Sequence, residues 1–419
     1  MSASISRRTL GTGIAASLAL GTPIARAQTK KVVVNFWALA SSPWDVMIAL
    51  FQKSNPDVEI VWTKYGTDAI KEALRVAASS GSMPDAWFNW GGSLASPYEK
   101  DGLALDLTDR LKQDGTDKQL IPSALRLASF EGRMYGIPYR VTPVSFVYRK
   151  SLFAKVGAEP PKSFAELEAI AAKCKAAGIT PFSVGGKYSW LTMRFTDFLL
   201  EHFAGPELND KLMAMQASWK SPEVVATFAK LKDWTAKGYF PPGFLSVDPM
   251  QDMTPMFDGS AAMVIENPAV DVTRIIAAKL DPADYGTFPD PTDHKPLRVS
   301  GFTNQIQISA SAGKDVQDAA IRFAQFLVDR QVAQDTLSSF GGPSSAFGVM
   351  PPDSLPIQAQ WGKWLQGDVG LYLIGDQALP QPVVTAYWSA QDSVVLGSVT
   401  PEAAAAEMQT AIDAWKAAQ

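Results

Sequence analysis

The sequence is poor in the residues that build metal sites and redox chemistry. It has one cysteine, Cys174, and two histidines, His202 and His294, in 419 residues. A single thiol forms no internal disulfide, and a metal site made of cysteine or histidine needs several ligands. We therefore expect no metal, no cofactor and no catalysis by a nucleophile–histidine pair. Cys174 is interpreted as a small buried residue of a helix.

The chain also lacks a strong excess of charge and a long apolar run. Its 38 basic and 42 acidic residues give a formal net charge of −4, whereas nucleic-acid binding favours a basic surface. No stretch after the N-terminal segment reaches the about 18 apolar residues of a membrane-spanning helix. With 47% hydrophobic residues, the composition is typical of a soluble globular chain of about two domains.

Residues 1–27 have the three parts of an export signal. Arg7 and Arg8 form a basic start, residues 11–20 are mildly apolar, and Ala-Arg-Ala at 25–27 is a cleavage motif. The run SRRTL at 6–10 is similar to a twin-arginine signal, whose substrates cross the membrane folded. We predict cleavage after Ala27 and a periplasmic mature protein without a lipid anchor. An ordinary N-terminal helix is the alternative.

The mature chain begins with alternating strand and helix patterns. Runs of β-branched and aromatic residues predict strands at 32–37, 58–62 and 86–88. Helices are predicted between them, from Pro43 and over 68–78. This order is typical of a parallel sheet covered by helices, in which ligands bind at the carboxyl ends of the strands. The loops that follow these three strands are therefore expected to contribute to a binding site.

Similar patterns continue in the second half of the chain. Strands are predicted at 146–148 and 182–184. Helices are predicted after a capping box formed by Ser163 and Glu166, over 315–332, and from Thr400 to the C-terminus. No repeat or long linker separates the two halves, which suggests that the chain crosses between two lobes several times.

Five motifs, in order and at the expected spacing, resemble those of extracellular solute-binding proteins of sugar ABC importers. They are GRMYGIPY at 132–139, YRKSLF at 148–153, the segment 157–167 with PPKSFAEL, FDGSAAM at 257–263, and AAIRFAQFL at 319–327. The resemblance covers essentially the whole mature chain. Maltodextrin-binding proteins are the best-known members of this family, and the sequence resembles more closely the branch that binds short oligosaccharides.

The resemblance implies an α/β fold of two lobes, joined by a hinge with multiple crossovers, with the ligand in the cleft between the lobes. The first lobe would comprise 28–141 and 302–346, and the second 145–301 and 347–419. The implied function is that of a monomeric substrate-binding protein, which captures a sugar in the periplasm and delivers it to the transmembrane permease of an ABC importer. We expect a binding protein and not an enzyme.

A sugar ligand needs aromatic planes for its ring faces and polar groups for its hydroxyls. Candidates in the first lobe follow the three predicted strands: Ser41, Ser42, Trp44, Tyr65, Asp68, Asn89, Trp90 and Gly91. Trp90 could instead be a core aromatic residue, and Asn89 a turn residue.

Further candidates lie in the hinge and the second lobe, where the loop at 185–190 and Trp388 resemble ligand-binding positions of the family. They are Arg140, Thr142, Gly186, Lys187, Tyr188, Trp190, Glu266, Asn267, Gly301 and Trp388. Trp190 could instead belong to the core, and Arg140 and Lys187 could be solvated surface charges.

One departure from the family pattern leaves the ligand class open. Relatives often place a tryptophan after the motif at 257–263, and here the sequence is IENPA at 265–269. Arg140 and Lys187 suit an acidic sugar derivative or glycerol phosphate equally well, and a polyamine is a further alternative. A secreted glycosidase or lyase would need two facing carboxylates, for which Asp68, Asp85 and Glu266 are the candidates.

Overall fold

The structure is a computed structural model that describes residues 31–340, 343–365 and 369–418. The predicted export signal at 1–27 lies outside the described residues. No helix within the described ranges has both the length and the apolar character needed to cross a membrane.

The strands confirm the alternating pattern at the start of the chain. The three predicted strands are β1 (Val32–Leu39), β2 (Val58–Tyr65) and β3 (Ala86–Trp90). β1 pairs with β2 and with β3, in parallel in both cases. β3 is buried along its whole length, as expected of a strand covered on both faces.

The remaining strands make the sheet mixed rather than parallel. They are β4 (Ser129–Phe130), β5 (Arg133–Met134), β6 (Gly136–Arg149), β7 (Thr180–Phe182), β8 (Ala261–Glu266), β9 (Tyr285–Phe288), β10 (Arg298–Ile308) and β11 (Gly370–Leu373). The order across the main sheet is β2-β1-β3-β10-β6-β8-β7, with β11 beside β10 and β9 beside β6.

Two long strands connect the two halves of the molecule. β10 pairs antiparallel with β3 and β6, and its first residues pair with β11. β6 pairs with β10 over its first part and with β8 and β9 over its last part. The strand predicted at 146–148 is therefore the end of a 14-residue strand. These two strands are the crossovers that the family resemblance implies.

Helices cover the faces of this sheet. They are α1 (Trp44–Ser54), α2 (Thr67–Ser80), α3 (Ser96–Lys100), α4 (Thr108–Gln113), α5 (Pro122–Ala128), α6 (Lys150–Lys155), α7 (Phe164–Ala176), α8 (Trp190–Met213), α9 (Pro222–Ala236), α10 (Thr254–Phe257), α11 (Lys314–Phe326), α12 (Arg330–Phe340), α13 (Pro356–Leu365), α14 (Gly375–Ala378), α15 (Gln381–Val395) and α16 (Pro401–Ala417).

Most of the predicted helix ends agree with the structure. The side chains of Ser163 and Thr400 accept hydrogen bonds from the N–H groups of Glu166 and Ala403 and cap α7 and α16. The side chain of Glu166 bonds the N–H of Lys162 at 2.7 Å, one residue earlier than a capping box requires. Cys174 is buried in α7 as predicted.

The single helix predicted over 315–332 was wrong. The chain forms α11 and α12, separated by a short turn. The side chain of Asp329 accepts hydrogen bonds from the N–H groups of Gln331 and Val332, both at 3.0 Å. This cap starts a new helix, and the continuous apolar pattern concealed it.

The described residues form two large hydrophobic cores. The N core is built from residues between Val34 and Tyr139 together with Ile306 to Val328. The C core is built from residues between Val144 and Ile412. A smaller third cluster includes Leu127 from the first predicted lobe and Trp361 from the second. The exact lobe boundaries at 141, 145, 302 and 347 stay a prediction.

Candidate ligand-binding site

A cavity of about 210 Å³ lies between the N core and the C core, beside β6 and β10. Its N wall consists of Leu39, Thr67, Lys71, Trp90 and Leu94. The crossing strands contribute Arg140, Thr142, Phe302 and Asn304. Its C wall consists of Trp190, Met193, Arg194, Asn267, Ile374, Asp376 and Gln377. The lining combines aromatic and aliphatic side chains with a larger number of polar ones, and small-molecule sites use such polar groups to orient the ligand.

Trp90 in the N wall is held by a network of buried amides. Asn89 accepts a hydrogen bond from the N–H of Trp90 at 2.9 Å. Its Nδ2 donates to Gln307 Oε1 at 2.9 Å and to the carbonyl of Leu94 at 3.1 Å. Gln307 in turn donates to Glu99 at 3.0 Å. This network fixes the end of β3, and hence the indole of Trp90.

Glu99 lies at the base of this network and is buried. Burial raises the pKa of Glu99 to about 8, because a carboxylate loses its hydration in the interior. The N wall is therefore supported by uncharged groups at neutral pH.

The crossing strands add polar side chains between the two walls. The hydroxyl of Thr142 donates to Asn304 Oδ1 at 3.1 Å, across the β6–β10 pair. The guanidinium of Arg140 lies 5.7 Å from the ring centre of Tyr139. Burial lowers the pKa of Arg140 below its ordinary value, and an arginine remains charged in proteins.

The C wall is built on a buried ion pair. Arg194, in the first turns of α8, lies 3.0 Å from the carboxylate of Glu266 and donates to the carbonyl of Ile265 at 3.0 Å. Its guanidinium also lies 5.0 Å from the ring centre of Trp190. Glu266 accepts two hydrogen bonds from Asn267, from the backbone N–H and from Nδ2, each at 2.7 Å. The ion pair therefore orients both Trp190 and Asn267.

A second pair lies behind this one. Asp252 accepts a hydrogen bond from Arg274 and is close to Glu266. Burial and the charge of Glu266 raise the pKa of Asp252 to about 8. Burial also acts to raise the pKa of Glu266, but Arg194 and the Asn267 N–H outweigh it, so that the pKa lies below its usual value. Glu266 is therefore the ionised carboxylate of the cluster at neutral pH.

Five of the residues proposed from the sequence line this cavity together. They are Trp90, Arg140, Thr142, Trp190 and Asn267. They come from β3, β6, the start of α8 and the loop after β8, and the fold brings them to one place.

Other candidates from the first lobe lie elsewhere. Trp44 is fully buried in the N core, where its ring packs edge-on against Phe36 at 4.9 Å. Ser41 is exposed and Ser42 partly exposed in the turn before α1. Tyr65 stacks obliquely on Trp37, and Asp68 is exposed and pairs with Lys71 at 3.2 Å. None of these five residues lines the cavity, and they are not retained in the proposed site.

Four candidates lie directly behind the cavity and support it. Asn89 and Glu266 have their hydrogen-bonding groups used within the protein, as described above. The N–H of Gly91 donates to the carbonyl of Thr303 at 3.2 Å. The carbonyl of Gly301 accepts from the N–H of Ile374 at 3.2 Å and joins β10 to the C wall. Their role in the structure is to position the lining residues.

The remaining second-lobe candidates do not line the cavity either. Gly186 is buried beside Thr192, while Lys187 and Tyr188 are exposed. Trp388 is partly buried, and its indole N–H donates to the sulfur of Met193 at 3.2 Å. Trp388 therefore supports a lining residue of the C wall, and we do not retain it as a platform for the ligand.

Eleven of the sixteen lining residues were not among the candidates from the sequence. Thr67 and Lys71 belong to the first turns of α2, directly after β2. Ligands bind at the carboxyl ends of parallel strands, so this position could have been predicted. Ile374, Asp376 and Gln377 follow β11, a short strand that the sequence pattern did not reveal. Recognition of Gly370–Leu373 as a strand would have identified this part of the C wall.

The described part of the chain contains no group of three or more histidine, cysteine, aspartate or glutamate side chains arranged to hold a metal ion. The cavity is thus characterised by its indoles, amides, hydroxyls and paired charges. Such a lining binds an organic ligand through ring faces and hydrogen bonds.

Known proteins with similar sequences and folds place the chain in a family. Residues 38–334 match the model of the bacterial extracellular solute-binding proteins. A probable sugar-binding periplasmic protein of Mesorhizobium japonicum is 30% identical over 73% of this chain and 80% of its own length. A diacetylchitobiose-binding protein of Streptomyces coelicolor is 26% identical over 75% of this chain and 72% of its own length.

Solved structures show the same fold. A chitin oligosaccharide binding protein superimposes with a TM-score of 0.81 at 22% identity, over 92% of this chain and 98% of its own. The two-lobed architecture with its cleft is therefore shared with known solute-binding proteins. The chain belongs to the bacterial extracellular solute-binding protein family.

Proposed function

We propose that this protein captures a sugar in the cavity between its two cores, as the substrate-binding component of an ABC importer. The observation that carries the proposal is the placement of Trp90 and Trp190 in opposite walls of one cavity. An indole presents a flat apolar face, which suits the C–H face of a sugar ring. Relatives named for sugar or diacetylchitobiose binding support this ligand class.

The polar lining suits the hydroxyl groups of such a ligand. Arg140 and Lys71 supply donors, while Thr142, Asn304 and Asn267 supply hydroxyl and amide groups. Hydrogen bonds of charged groups are the strongest of these. Groups from both walls and from the crossing strands would contact one ligand, so that its binding would couple to the relative position of the lobes.

The test uses ligand-free protein and a panel of mono- and oligosaccharides. We expect the right sugar to raise the melting temperature and to change tryptophan fluorescence, with a stabilisation of about 2.7 kcal/mol at one hundred times Kd. Trp90→Ala and Trp190→Ala should each weaken binding at least tenfold. Trp37→Ala is the matched control, because Trp37 packs on Tyr65 outside the cavity. A panel that produces no shift with the unaltered protein would contradict the proposal.

An acidic sugar derivative or glycerol phosphate is the second candidate. Lys71, Arg140 and Arg194 place three cationic side chains at the cavity, although Arg194 already pairs with Glu266. A polyamine is less well matched, since these cations would repel it. Inclusion of glucuronate, glycerol 3-phosphate and spermidine in the same panel separates these ligands from neutral sugars.

The arrangement of carboxylates supports binding without hydrolysis. A glycosidase needs two carboxylates that face each other across the sugar bond. Asp68 is exposed on α2, Asp85 accepts hydrogen bonds from Asn35 at 2.8 and 2.9 Å, and Glu266 is engaged with Arg194. None of the three lines the cavity.

Residues 1–27 are proposed to direct export through the twin-arginine route, with cleavage after Ala27 and function as a periplasmic monomer that docks on a permease. The adjacent Arg7 and Arg8 and the Ala-Arg-Ala motif support this part of the proposal. N-terminal sequencing of protein from the periplasmic fraction should begin at Gln28. Export that is unaffected by Arg7→Lys with Arg8→Lys would exclude the twin-arginine route.

A further inference from the structure

The segment Ile374–Gln377, here called the acceptor segment, contributes three residues to the C wall. It follows β11 and includes the start of α14. Ile374, Asp376 and Gln377 all line the cavity. It is the part of the site that brings carboxylate and amide oxygens to the ligand without an ion pair of its own.

Two oxygen atoms of this segment are buried and unsatisfied. Asp376 Oδ1 and Gln377 Oε1 have no hydrogen-bond partner among the residues that the structure describes. Gln377 is only 4% exposed. A buried acceptor without a donor destabilises the folded protein, and more so when the acceptor is charged. Two such acceptors side by side in a cavity wall indicate that donors come from a ligand.

The acceptor segment is held in place from both lobes. Asp197 in α8 accepts hydrogen bonds from the N–H of Gly375 and from the hydroxyl of Tyr387, both at 2.9 Å. From the N wall side, the hydroxyl of Ser93 donates to the carbonyl of Asp376 at 3.1 Å. The backbone contacts thus fix the position of Asp376 independently of its side chain.

Gly92 completes this contact. Its φ of +69° lies in the region that favours glycine, and a Cβ at this position would lie 2.2 Å from the carbonyl oxygen of Gln377. The close approach of the two backbones brings the end of β3, which carries Trp90, next to the two acceptors. An aromatic plane and a pair of acceptors therefore lie at one end of the cavity.

The cavity volume limits the size of the ligand. A cavity of about 150 Å³ accommodates a six-membered ring such as benzene. The cavity here is about 210 Å³, which is of the size that one sugar ring with its hydroxyl groups fills. Beyond Lys71 and Leu94 a second, larger cavity of about 540 Å³ continues along α2, and its lining contains no tryptophan.

The charges around Asp376 favour a neutral polyol. Lys71 and Arg194 lie close enough to lower the pKa of Asp376, although burial has the larger effect and raises that pKa above its usual value. A sugar hydroxyl can donate to a carboxylate and accept from a neighbouring cation at the same time. An anionic ligand group would instead be repelled by Asp376.

We propose that Asp376 and Gln377 determine the specificity of the site by accepting hydrogen bonds from hydroxyl groups of a single neutral sugar ring. The inference rests on the proposed function, since it names the kind of sugar and the residues that select it. It narrows the ligand from a short oligosaccharide to a monosaccharide.

The proposal has a consequence for the pH dependence of binding. The carboxylate form of Asp376 accepts the ligand's hydroxyl hydrogens, and a proton on Asp376 competes with them. Acidification should therefore weaken binding of the neutral sugar. Lys71, Arg194 and Asp197 are the other ionisable groups that face Asp376. The part of the pH dependence of binding that is due to Asp376 is the part that disappears in Asp376→Asn.

The experiment is calorimetry on ligand-free protein with D-xylose, D-glucose and D-galactose, with xylobiose and cellobiose, and with monodeoxy analogues of the monosaccharide that binds. We expect a monosaccharide to bind at least tenfold more tightly than its dimer. Asp376→Asn should weaken that binding about 10- to 100-fold, as expected for loss of a charged hydrogen bond. Asp353→Asn, an exposed aspartate outside the cavity, is the matched control and should bind normally.

The monodeoxy analogues separate recognition from a structural effect. Removal of the recognised hydroxyl should cost the unaltered protein at least tenfold in affinity and cost Asp376→Asn much less, because the partner is already lost. If Asp376→Asn does not fold, as judged by circular dichroism, the analogues alone decide: tolerance of every hydroxyl deletion overturns the proposal. Tighter binding of dimers, or equal binding by Asp376→Asn, also overturns it and leaves the proposed function intact. Failure of every sugar to bind contradicts the proposed function itself.

Discussion

The N wall holds Trp90 on a network of uncharged amides, whereas the C wall holds Trp190 beside buried ions. In the N wall Asn89, Gln307 and Glu99 satisfy one another, and burial keeps Glu99 protonated at neutral pH because its pKa is about 8. In the C wall Glu266 is ionised and pairs with Arg194 at 3.0 Å. The two walls present the same kind of side chain through different physical means.

The difference concerns how much each wall depends on its charges. A neutral hydrogen-bond network loses little when one carboxyl becomes an amide of the same shape. A buried ion pair is costly to break, because the remaining partner is left charged in the interior. The C wall should therefore lose more stability than the N wall when its buried carboxylate is replaced by an amide.

The largest expected effect is that of Glu266→Gln. This change leaves Arg194 buried without its counter-charge and replaces an acceptor of two Asn267 hydrogen bonds. We expect a loss of about 3–5 kcal/mol in the free energy of unfolding. Urea unfolding at pH 7, followed by circular dichroism, measures it.

The matched control is the same substitution in the N wall. Glu99→Gln replaces a protonated carboxyl by an amide that can still accept from Gln307, so the loss at pH 7 should be below about 1 kcal/mol. Equal losses for Glu99→Gln and Glu266→Gln would remove the distinction between the two walls. The double variant Glu266→Gln with Arg194→Met should be more stable than Glu266→Gln alone, because the uncompensated charge is removed. Such a recovery would support the distinction between the two walls.

The same contrast explains which parts of the site the sequence could predict. Trp90 of the N wall follows from local order: β1, β2 and β3 alternate with α1 and α2, and Trp90 lies just after the strand predicted at 86–88. The loop that contains Trp190 aligns with a sugar-binding loop of the family, Asn267 follows the motif at 257–263, and Arg140 follows the motif at 132–139. Each of these residues lines the cavity.

The rest depends on contacts that are distant in sequence. Asp376 and Gln377 follow a four-residue strand that is recognisable only from its pairing with β10. Trp44 and Trp388 are of the residue type expected to stack on a sugar ring. Trp44 packs against Phe36 and Trp388 contacts Met193, and these contacts determine their roles. The apolar pattern continues past Asp329, and only the hydrogen bonds that its side chain accepts show that a new helix begins there. Burial and partner, which tertiary structure alone supplies, determine each of these outcomes.

The smallest expected effect concerns Asp197, which supports the acceptor segment of the C wall. Burial raises the pKa of Asp197 to about 7, well above the about 3.9 of an unfolded chain. The folded protein therefore binds this proton more tightly, so the associated stability is complete below about pH 4 and is lost as the pH rises through 7.

Asp197→Asn should remove this part of the pH dependence. Between pH 6 and pH 8 the free energy of unfolding of the unaltered protein should fall by about 1 kcal/mol relative to the variant. Urea unfolding at several pH values measures the difference, with Asp376 and Asp290 as the neighbouring carboxyls common to both proteins. In the N wall, the corresponding change for Glu99→Gln should be centred near pH 8, where Glu99 titrates. A difference between the unaltered protein and Asp197→Asn that stays constant with pH would mean that Asp197 is ionised throughout, and that the positions of Gly375 and Asp376 depend on a permanent charge instead of a titrating one.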